Sequence, residues 1–348
     1  MTSAYARAGV DIQAGDRAVE LMREHVRATH RPEVIGGIGG FAGLFDASAL
    51  RAYTRPVLAT STDGVGTKVA IAQALDLHHT IGWDLVGMLV DDLVVVGAEP
   101  LFVTDYIACG RLVPERIASI VSGIAAACTA AGAALLGGET AEHPGLLAAD
   151  EYDLAGATTG VVEADQVLGP QRVVAGDVVL ALASSGLHSN GYCLVRAVLR
   201  QARLRLDQRL PELDRSLGEE LLEPTRVYAR DVLDLVRAVD VHAISHITGG
   251  GLAANLARVL PCGLSARLDR STWTPAAIFT LLQRLGELSQ PDLEATLNMG
   301  VGMAVVLPAD QVDPAVRLLA ERGIASWVAG EIHVGDGSVD LVGSHPAG

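Results

Sequence analysis

The sequence predicts a fold of mixed helices and strands in two domains, for three reasons. The chain has 348 residues, which is longer than one ordinary domain. Over residues 56–163, short apolar runs typical of strands alternate with longer helical segments, as in an α/β or α+β sheet domain. Turn-forming residues interrupt this pattern at 166–176, and strands and helices resume after them. We therefore expect an N-terminal domain at 1–165 and a C-terminal domain at 166–348.

Periodicity and helix-breaking residues locate the elements of the N-terminal domain. The expected helices are 12–30, 68–75, 85–97 and 114–132, and the expected strands are 56–60, 101–108, 133–136 and 154–163. Pro100 ends the third helix, since proline cannot continue one. Residues 36–43 hold too many glycines for the interior of a helix or strand. We expect a mobile loop there that closes over a ligand.

The C-terminal domain repeats the combination of apolar strands and glycine-rich loops. The expected strands are 178–183 and 303–307, and the expected helices are 192–201 and 225–239. A charged stretch at 203–223 is expected at the periphery. Because both domains carry glycine loops next to strands, the sequence predicts a site built between the two domains.

The composition excludes several classes of protein. With 26 basic and 41 acidic residues, the formal net charge is −15, which repels nucleic acid, and no run of lysine and arginine offsets it. Half the residues are hydrophobic and 19% are charged, so the chain can fill two cores and is not globally disordered. A cytoplasmic enzyme that acts on a small molecule fits this composition best.

Cysteines and one uncharged stretch complete the survey of the composition. Cys109, Cys128, Cys193 and Cys262 are scattered, and we expect buried thiols and not a disulfide framework or a metal site. Residues 117–138 carry no charge and are long enough to span a bilayer, but they are rich in alanine, glycine and serine. Since Pro114 and Glu115 are typical of the first turn of a soluble helix, we expect no membrane segment.

The segment after the first strand has the composition of a nucleotide-binding loop. It contains Asp63, Gly64, Gly66, Thr67 and Lys68. Glycine lets the backbone approach a phosphate closely, a carboxylate suits magnesium, and a lysine suits phosphate oxygens. The alternative is a tight turn with a solvated lysine, because short glycine patterns are weakly specific.

Further acids support the same interpretation. Asp91 and Asp92 are adjacent in an otherwise apolar helix, and two neighbouring carboxylates are costly there unless charge-paired or metal-bound. Glu139 follows two glycines and either binds a metal or caps a helix N-terminus. These acids, together with the glycine-rich loops, point to a magnesium–nucleotide site.

Two loops in the C-terminal domain suit an anion. The loop 184–191 is rich in hydroxyl and amide groups, and His188 within it either shuttles a proton or only fills a turn. Asn190 lies in the same loop. Three glycines at 249–251 precede a helix, where backbone N–H groups and the helix dipole attract anions, although a plain glycine turn is the alternative.

Eight segments in order along the chain resemble those of one family. The family is aminoimidazole ribonucleotide synthetase, also called phosphoribosylformylglycinamidine cyclo-ligase, and the segments are 5–12, 36–45, 63–68, 97–102, 137–142, 184–192, 246–251 and 298–303. Each segment alone is weakly specific, but eight in order are strongly specific. The chain departs from the family pattern at Ala6 and Arg7, where Lys-Asp is common, and at Asp91, where the pattern has Asn.

The resemblance implies an activity, a set of ligands and an assembly. The activity is ATP-dependent closure of formylglycinamidine ribonucleotide to aminoimidazole ribonucleotide in purine biosynthesis, through an imidoyl phosphate. The assembly is an α+β homodimer whose N-terminal sheets form a shared barrel, with mixed α/β C-terminal domains outside. Magnesium is assigned to Asp63, Asp92 and Glu139, with Asp92 favoured over Asp91.

The remaining residues are assigned to ATP and to the reacting groups. Lys68 binds phosphate, and His188 and Asn190 orient the reacting groups. The residues assigned to binding ATP are Gly36, Gly37, Gly39, Gly40, Asp63, Gly64, Gly66, Thr67, Lys68, Gly249, Gly250 and Gly251.

Related activities fit the sequence less well. Selenophosphate synthetase needs a reactive cysteine near its N-terminus, but this chain has none before Cys109, and the hydrogenase-maturation relative needs a C-terminal cysteine, where this chain has Gly348. A non-catalytic dimeric binding protein would have lost the acids, yet Asp63, Asp92 and Glu139 are present. An enzyme is therefore expected.

Overall fold

The computed structural model describes residues 9–346, so Ala6 and Arg7 lie outside the described residues. The chain divides into two compact units. Among the described residues, the first unit comprises 9–93, 98–165 and 227–230, and the second comprises 94–97, 166–226 and 231–346. Each unit contains its own sheet with helices, which confirms an α+β fold.

The first unit is built on a four-stranded sheet in the order β3-β6-β4-β5. Its strands are β1 (Val34–Ile35), β2 (Leu44–Phe45), β3 (Pro56–Gly64), β4 (Glu99–Cys109), β5 (Ala134–Glu142) and β6 (Tyr152–Glu163), and its helices are α1 (Ile12–Ala28), α2 (Val69–Leu75), α3 (His79–Val94) and α4 (Pro114–Ala131). β4 and β5 are parallel, and α4 connects them, while β6 is antiparallel to β3 and β4. The short hairpin β1–β2 encloses the glycine-rich segment 36–43.

Glycines allow the helices of the first unit to pack closely. A Cβ on Gly123 of α4 would lie 1.9 Å from the carbonyl oxygen of His79, so the backbones of α3 and α4 touch there. A Cβ on Gly156 of β6 would lie 2.7 Å from a methyl group of Leu89, which brings α3 down onto the sheet. The sequence therefore needs glycine at these positions for steric reasons.

The second unit is built on a six-stranded sheet in the order β12-β9-β11-β7-β10-β8. Its strands are β7 (Val178–Ala183), β8 (Ala243–His246), β9 (Leu264–Asp269), β10 (Val301–Leu307), β11 (Ser326–Val334) and β12 (Val339–Val342). Its helices are α5 (Tyr192–Gln201), α6 (Leu217–Leu221), α7 (Ala229–Ala238), α8 (Gly251–Ala257), α9 (Ala277–Gly286), α10 (Gln290–Glu294) and α11 (Val312–Glu321). Within the described part of this sheet, β12 pairs in parallel with β9, and the other neighbouring strands are antiparallel. Side chains of β7, β10 and α8 fill one core.

The predicted helices and strands are confirmed, with shifted ends. The predicted helix 85–97 begins earlier, at His79, and ends at Val94, and the predicted helix 225–239 is α7. The charged stretch 203–223 contains α6, whose Leu217 and Leu221 are fully buried, so it is not wholly peripheral.

Two motifs that the sequence placed in loops lie on strands. Asp63 and Gly64 end β3, where they pair with Gly156 and Ala155 of β6. Gly137–Thr140 pair with residues 104–107 of β4. Glycine is unfavourable in strands, but here the ladder of backbone hydrogen bonds overrides that preference. Glu139 therefore does not cap a helix.

The thiols differ from the prediction. All four cysteines are free, but only Cys109 and Cys128 are buried, whereas Cys193 and Cys262 are exposed. Scattered cysteines give no periodicity from which exposure could be predicted. Within residues 9–346, no helix combines the length and apolar character required to cross a bilayer.

Candidate functional site

The first unit contains a cavity of about 270 Å³. Its walls come from α1, α4, the glycine-rich segment 36–43 and strands β4 and β5. The lining residues are Gly15, Ala18, Val19, Met22, Val26, Ile38, Gly39, Gly40, Asp105, Leu112, Val121, Leu135, Gly137, Gly138, Glu139 and Thr140. The structure thus brings two of the predicted motifs, the glycines before β2 and the Gly-Gly-Glu-Thr run, to one cavity.

Asp105 is a residue of this cavity that the sequence analysis did not single out. It pairs with Gly138 in the β4–β5 ladder. Burial raises the pKa of its carboxyl to about 7. Burial and the neighbouring Asp105 charge also raise the pKa of the Cys128 thiol on α4. The only signal in the sequence was one acid within the apolar strand 101–108.

Gly138 holds space for the Asp105 carboxyl. A Cβ on Gly138 would lie 1.7 Å from Asp105 Oδ1 and 2.8 Å from the Asp105 carbonyl oxygen, whereas a Cβ on Gly137 would meet nothing within 4 Å.

We expect Gly138→Ala to destabilise the protein by about 1–3 kcal/mol, the usual cost of overpacking. Gly137→Ala, the matched control, should change stability by less than about 0.5 kcal/mol. Urea midpoints of the two variants test this, and equal midpoints would contradict it.

Asp63 and Glu139 lie at opposite edges of the sheet. Asp63, Gly156, Asp105 and Gly138 form one row across the four strands, and Glu139 follows Gly138. Three strand spacings separate Asp63 from this position, roughly 14 Å. Ligands of one magnesium ion each lie about 2.1 Å from it. Within one chain, therefore, Asp63 and Glu139 do not fit a shared ion.

Among residues 9–346, no three histidine, cysteine or acidic side chains are grouped to hold a metal. The assignment of Asp63, Asp92 and Glu139 to magnesium stays a prediction, and no reaction step is derived through the ion. The positions of Asp63 and Glu139 at opposite edges of the sheet explain why the sequence alone could not show which acids lie close together. Strand order decides which acids are neighbours, and spacing along the chain does not reveal it.

The two adjacent acids of α3 have different environments. Asp91 is fully buried, and its Oδ1 accepts a hydrogen bond from the backbone N–H of Tyr228 at 3.0 Å. Asp92 is exposed. Asp91 thus holds the chain just before α7, and Asp92 is the acid whose carboxylate is accessible to a ligand.

Lys68 is buried in an ion pair. Its Nζ lies 2.7 Å from Asp84 Oδ1, and both side chains have no exposed surface. Lys68 ends the 3-10 turn Gly66–Lys68 that follows β3, and Asp84 lies on α3. The pair therefore ties the segment carrying Asp63 to α3. Asp84 was missed because its partner is distant in sequence, and the role of Lys68 on phosphate stays a prediction.

Three glycine-bearing loops meet at one end of the second sheet. β10 lies between β7 and β8 and is antiparallel to both. The loops after β7 and β8 and the loop before β10 therefore lie at the same end of the strands. The Ser184 N–H donates to Gly300 O at 2.9 Å, and Asn298 Nδ2 donates to Gly186 O at 2.9 Å. A Cβ on Gly249 would lie 3.5 Å from Asn190 Oδ1. The structure thus brings Asn190 close to the triple glycine.

His188 is held inside its loop. Its side chain is nearly fully buried, and its Nε2 accepts a hydrogen bond from the Ser185 N–H at 3.2 Å. The accepting role means that Nε2 is unprotonated in this arrangement. Its φ of 59° lies in the left-handed region, which is uncommon for a residue other than glycine. Such an outlier is typical of functional loops, where surrounding structure maintains it.

Asn255 fixes the triple-glycine loop and was not predicted. Its Nδ2 lies within hydrogen-bonding distance of three carbonyl oxygens, those of Thr248, Gly249 and Gly251. Gly250 and Gly251 have positive φ values of 94° and 73°. Asn255 therefore holds the loop in a fixed conformation ahead of α8, and the binding of an anion there stays a prediction.

A larger cavity, about 900 Å³, lies elsewhere in the second unit. It is lined by α9, α10 and residues 343–346 and contains none of the predicted site residues. Two arginines on its wall are paired with acids, Arg270 with Glu294 and Arg284 with Glu212. The size of this cavity therefore does not identify it as the reaction site.

The chain matches two family models. Residues 45–162 match the AIR synthase related protein N-terminal domain, and residues 174–342 match its C-terminal domain. Curated proteins named phosphoribosylformylglycinamidine cyclo-ligase are similar over the full length. The protein from Geobacillus thermodenitrificans (strain NG80-2) is 50% identical over 100% of both chains, and that from Geobacillus kaustophilus (strain HTA426) is 51% identical over 97% of both. The chain therefore belongs to the AIR synthase family, as the resemblance implied.

Solved structures share the fold. Thiamine-monophosphate kinase from Stenotrophomonas maltophilia K279a superimposes with a TM-score of 0.70 at 23% identity, covering 94% of this chain and 97% of that one. E. coli HypE gives 0.66 at 19% identity, covering 96% and 94%. HypE in complex with ATP gives 0.64 at 20% identity, covering 94% and 90%. At these identities the likeness concerns the fold alone.

Proposed function

We infer that this enzyme closes formylglycinamidine ribonucleotide to aminoimidazole ribonucleotide with ATP, in purine biosynthesis. It is a ligase of the cyclo-ligase class. This inference rests on a sequence identity of 50% and 51% to two curated cyclo-ligases over nearly the full length of the chain, and on the presence of both family domains. A coupled test follows aminoimidazole product from purified protein, ATP and formylglycinamidine ribonucleotide, and absence of product would refute the function.

The chemistry requires activation of a poor leaving group. We propose that the formamide oxygen attacks the γ-phosphorus of ATP, releasing ADP and forming an imidoyl phosphate. The amidine nitrogen then attacks the formyl carbon, which carries the phosphorylated oxygen. The bond between this carbon and that oxygen breaks, and phosphate leaves with the former formamide oxygen. Such transfers need positioning and charge neutralisation more than covalent help from the protein.

The described loops supply positioning groups for this reaction. The backbone at Gly249 and Gly250, ahead of α8, suits a phosphate, and Asn190 lies beside Gly249, while the Gly251 N–H donates to the Thr248 carbonyl oxygen. We propose that His188 and Asn190 orient the reacting groups, and that the glycine-rich segment 36–43 excludes water that would hydrolyse the intermediate. ATP fits the family, whose fold neighbours include HypE solved with ATP.

His188→Asn tests the catalytic role of the histidine. Asparagine tolerates the left-handed conformation, so the loop should be retained. If His188 acts on a proton or on a phosphoryl oxygen, turnover should fall about a hundredfold or more, while ATP affinity is kept. The control is His25→Asn, an exposed residue of α1 that should leave turnover unchanged. A fall of less than about threefold, measured beside ATP binding, would make His188 structural.

We propose a homodimer whose four-stranded sheets pair into a shared barrel. In the described residues β3 and β5 are the edges of the sheet. β3 exposes Val57 and Leu58, the latter with 60% of its surface accessible, and an exposed apolar edge is a pairing surface. Sedimentation should give twice the 36.2 kDa mass of the chain. A monomer mass at micromolar concentration would contradict this. Location in the cytoplasm stays a prediction.

A further inference from the structure

Arginine side chains must supply the permanent positive charge of any phosphate site in the second unit. Lys68 is the only lysine of the chain, and it is buried in its ion pair with Asp84 in the first unit. Most arginines of the second unit are either exposed or paired with acids, as Arg270 is with Glu294. The few arginines outside these groups are therefore the candidates for binding an anion.

Arg226 is a partly buried arginine of the second unit without a counter-ion. Its Nε is buried and has no hydrogen-bond partner among residues 9–346, and no acid in that range pairs with it. The two acids that precede it most closely, Glu220 and Glu223, both pair with Arg215. Burying a cation without a partner is unfavourable. The environment of Arg226 is therefore that of a residue that receives an anion from solution.

Ser185 joins the backbone of Arg226 to the loop that carries His188. Its Oγ accepts a hydrogen bond from the Arg226 N–H at 3.1 Å and donates one to the Pro224 carbonyl oxygen at 2.7 Å. The N–H of the same serine donates to His188 Nε2 at 3.2 Å. One residue thus holds both segments, and a molecule bound by Arg226 would lie beside the loop of His188.

The two phosphate-bearing reactants of the proposed reaction differ in how their charge is neutralised. ATP is used together with a divalent cation, which offsets much of the charge of the triphosphate. The ribonucleotide carries one phosphate that brings no metal with it, so side chains of the protein must neutralise it. The guanidinium group of arginine presents two parallel N–H groups to phosphate oxygens. Arg226 therefore fits the ribose phosphate better than the triphosphate.

We propose that Arg226 binds the phosphate of the ribonucleotide substrate and that Ser185 positions Arg226 relative to His188. The proposal rests on the proposed function, because the ribonucleotide enters as the substrate of that reaction. The phosphate lies at the end of the substrate opposite to the formyl group that reacts. Arg226 thus determines the affinity and the preference for a phosphorylated substrate, and it takes no part in the bond-making steps.

Steady-state kinetics of the full-length enzyme with two substrates test Arg226. The substrates are formylglycinamidine ribonucleotide and the corresponding riboside, which lacks the phosphate. Arg226→Gln should raise the KM of the ribonucleotide at least about tenfold and leave kcat unchanged, because a hydrogen bond between charged groups is lost. The kcat/KM of the riboside should not change. Arg200→Gln, which alters an exposed arginine in the last turn of α5, is the matched control and should keep wild-type constants.

Calorimetric titration gives a measurement that does not depend on turnover. The probes are ribose 5-phosphate, which carries one phosphate, and tripolyphosphate with magnesium. Wild type should bind ribose 5-phosphate, and Arg226→Gln should bind it at least about tenfold more weakly. Arg226→Lys keeps the charge but not the two parallel donors, so its affinity should fall between these two. The affinity for tripolyphosphate should be the same in all three proteins.

Ser185→Ala tests the positioning of Arg226 without changing the arginine itself. The variant keeps the N–H that donates to His188 but loses the Oγ that holds the Arg226 backbone. It should raise the KM of the ribonucleotide and leave the kcat/KM of the riboside unchanged. A serine with only a structural role would lower the melting temperature without changing the preference for the phosphorylated substrate.

The outcomes separate this proposal from the proposed function. Wild-type constants in a folded Arg226→Gln would overturn the proposal, as would an equal loss of kcat/KM for ribonucleotide and riboside. Weaker binding of tripolyphosphate would also overturn it, since the triphosphate would then lie at Arg226. If wild type makes no aminoimidazole product but binds ribose 5-phosphate through Arg226, the proposed function fails and the phosphate site stands. Thermal melting checks the fold, and an unfolded Arg226→Gln leaves Arg226→Lys and Ser185→Ala as the deciding variants.

Discussion

Lys68→Met is expected to destabilise the protein by about 3–5 kcal/mol, because it leaves the buried Asp84 carboxylate without its cation. The pair has no exposed surface, so water cannot replace the lost partner. The control is Arg17→Met, which breaks the exposed Arg17–Glu20 pair and should cost less than about 1 kcal/mol. Urea midpoints, compared between the two variants, give the measurement.

The double variant Lys68→Met/Asp84→Leu separates stability from activity. Replacing both charges by apolar groups should restore much of the stability lost in the single variant. Turnover should stay low if Lys68 also serves the phosphate, and it should return if the pair only ties the Asp63 segment to α3. A single variant as stable as wild type would contradict the buried pair as a structural tie.

Asp92→Asn is expected to lower ATP turnover, whereas Asp91→Asn is expected to lower the stability of the fold. Asp92 is exposed, so its substitution should leave the melting temperature unchanged. ATP turnover should fall about a thousandfold or more, because the Asp92 carboxylate would hold the cation that neutralises the triphosphate charge. Asp91 is buried and accepts the Tyr228 N–H, so its substitution should mainly lower stability, by about 1–3 kcal/mol.

Asp63→Asn is expected to lose turnover in the same way as Asp92→Asn. Asp91→Asn serves as the control for Asp92→Asn, because the two aspartates are neighbours on one helix. Near-normal turnover of Asp92→Asn or Asp63→Asn with magnesium would refute their assignment to the metal. Loss of stability in Asp92→Asn equal to that in Asp91→Asn would contradict the difference in environment.

The sequence predicted those parts of the fold that depend on local signals. α4 begins at Pro114 and ends before Gly132, whose φ of 81° suits glycine alone, and β7 and α5 have their expected bounds. These elements follow from capping and periodicity within a few residues. The motifs at Asp63 and Gly137–Thr140 were placed in loops, because pairing with a distant strand is invisible in a local window.

The candidate site was predicted less completely than the fold. The sequence singled out His188, Asn190 and the glycines at 249–251, and the structure brings them to one edge of the second sheet. It did not single out Asp84, Asp105 or Asn255, whose importance comes from partners that the fold supplies. Nor could it show that three strand spacings separate Asp63 from Glu139, since strand order is a property of the whole sheet.

The path of one oxygen atom tests the proposed reaction most directly. Formylglycinamidine ribonucleotide labelled with ¹⁸O in its formyl group is turned over with ATP, and the inorganic phosphate is analysed by mass spectrometry. If the formamide oxygen attacks the γ-phosphorus, each phosphate formed carries one ¹⁸O atom, and aminoimidazole ribonucleotide appears in equal amount. Unlabelled phosphate, with the ¹⁸O released into water, would show that ATP does not activate this oxygen and would contradict the mechanism.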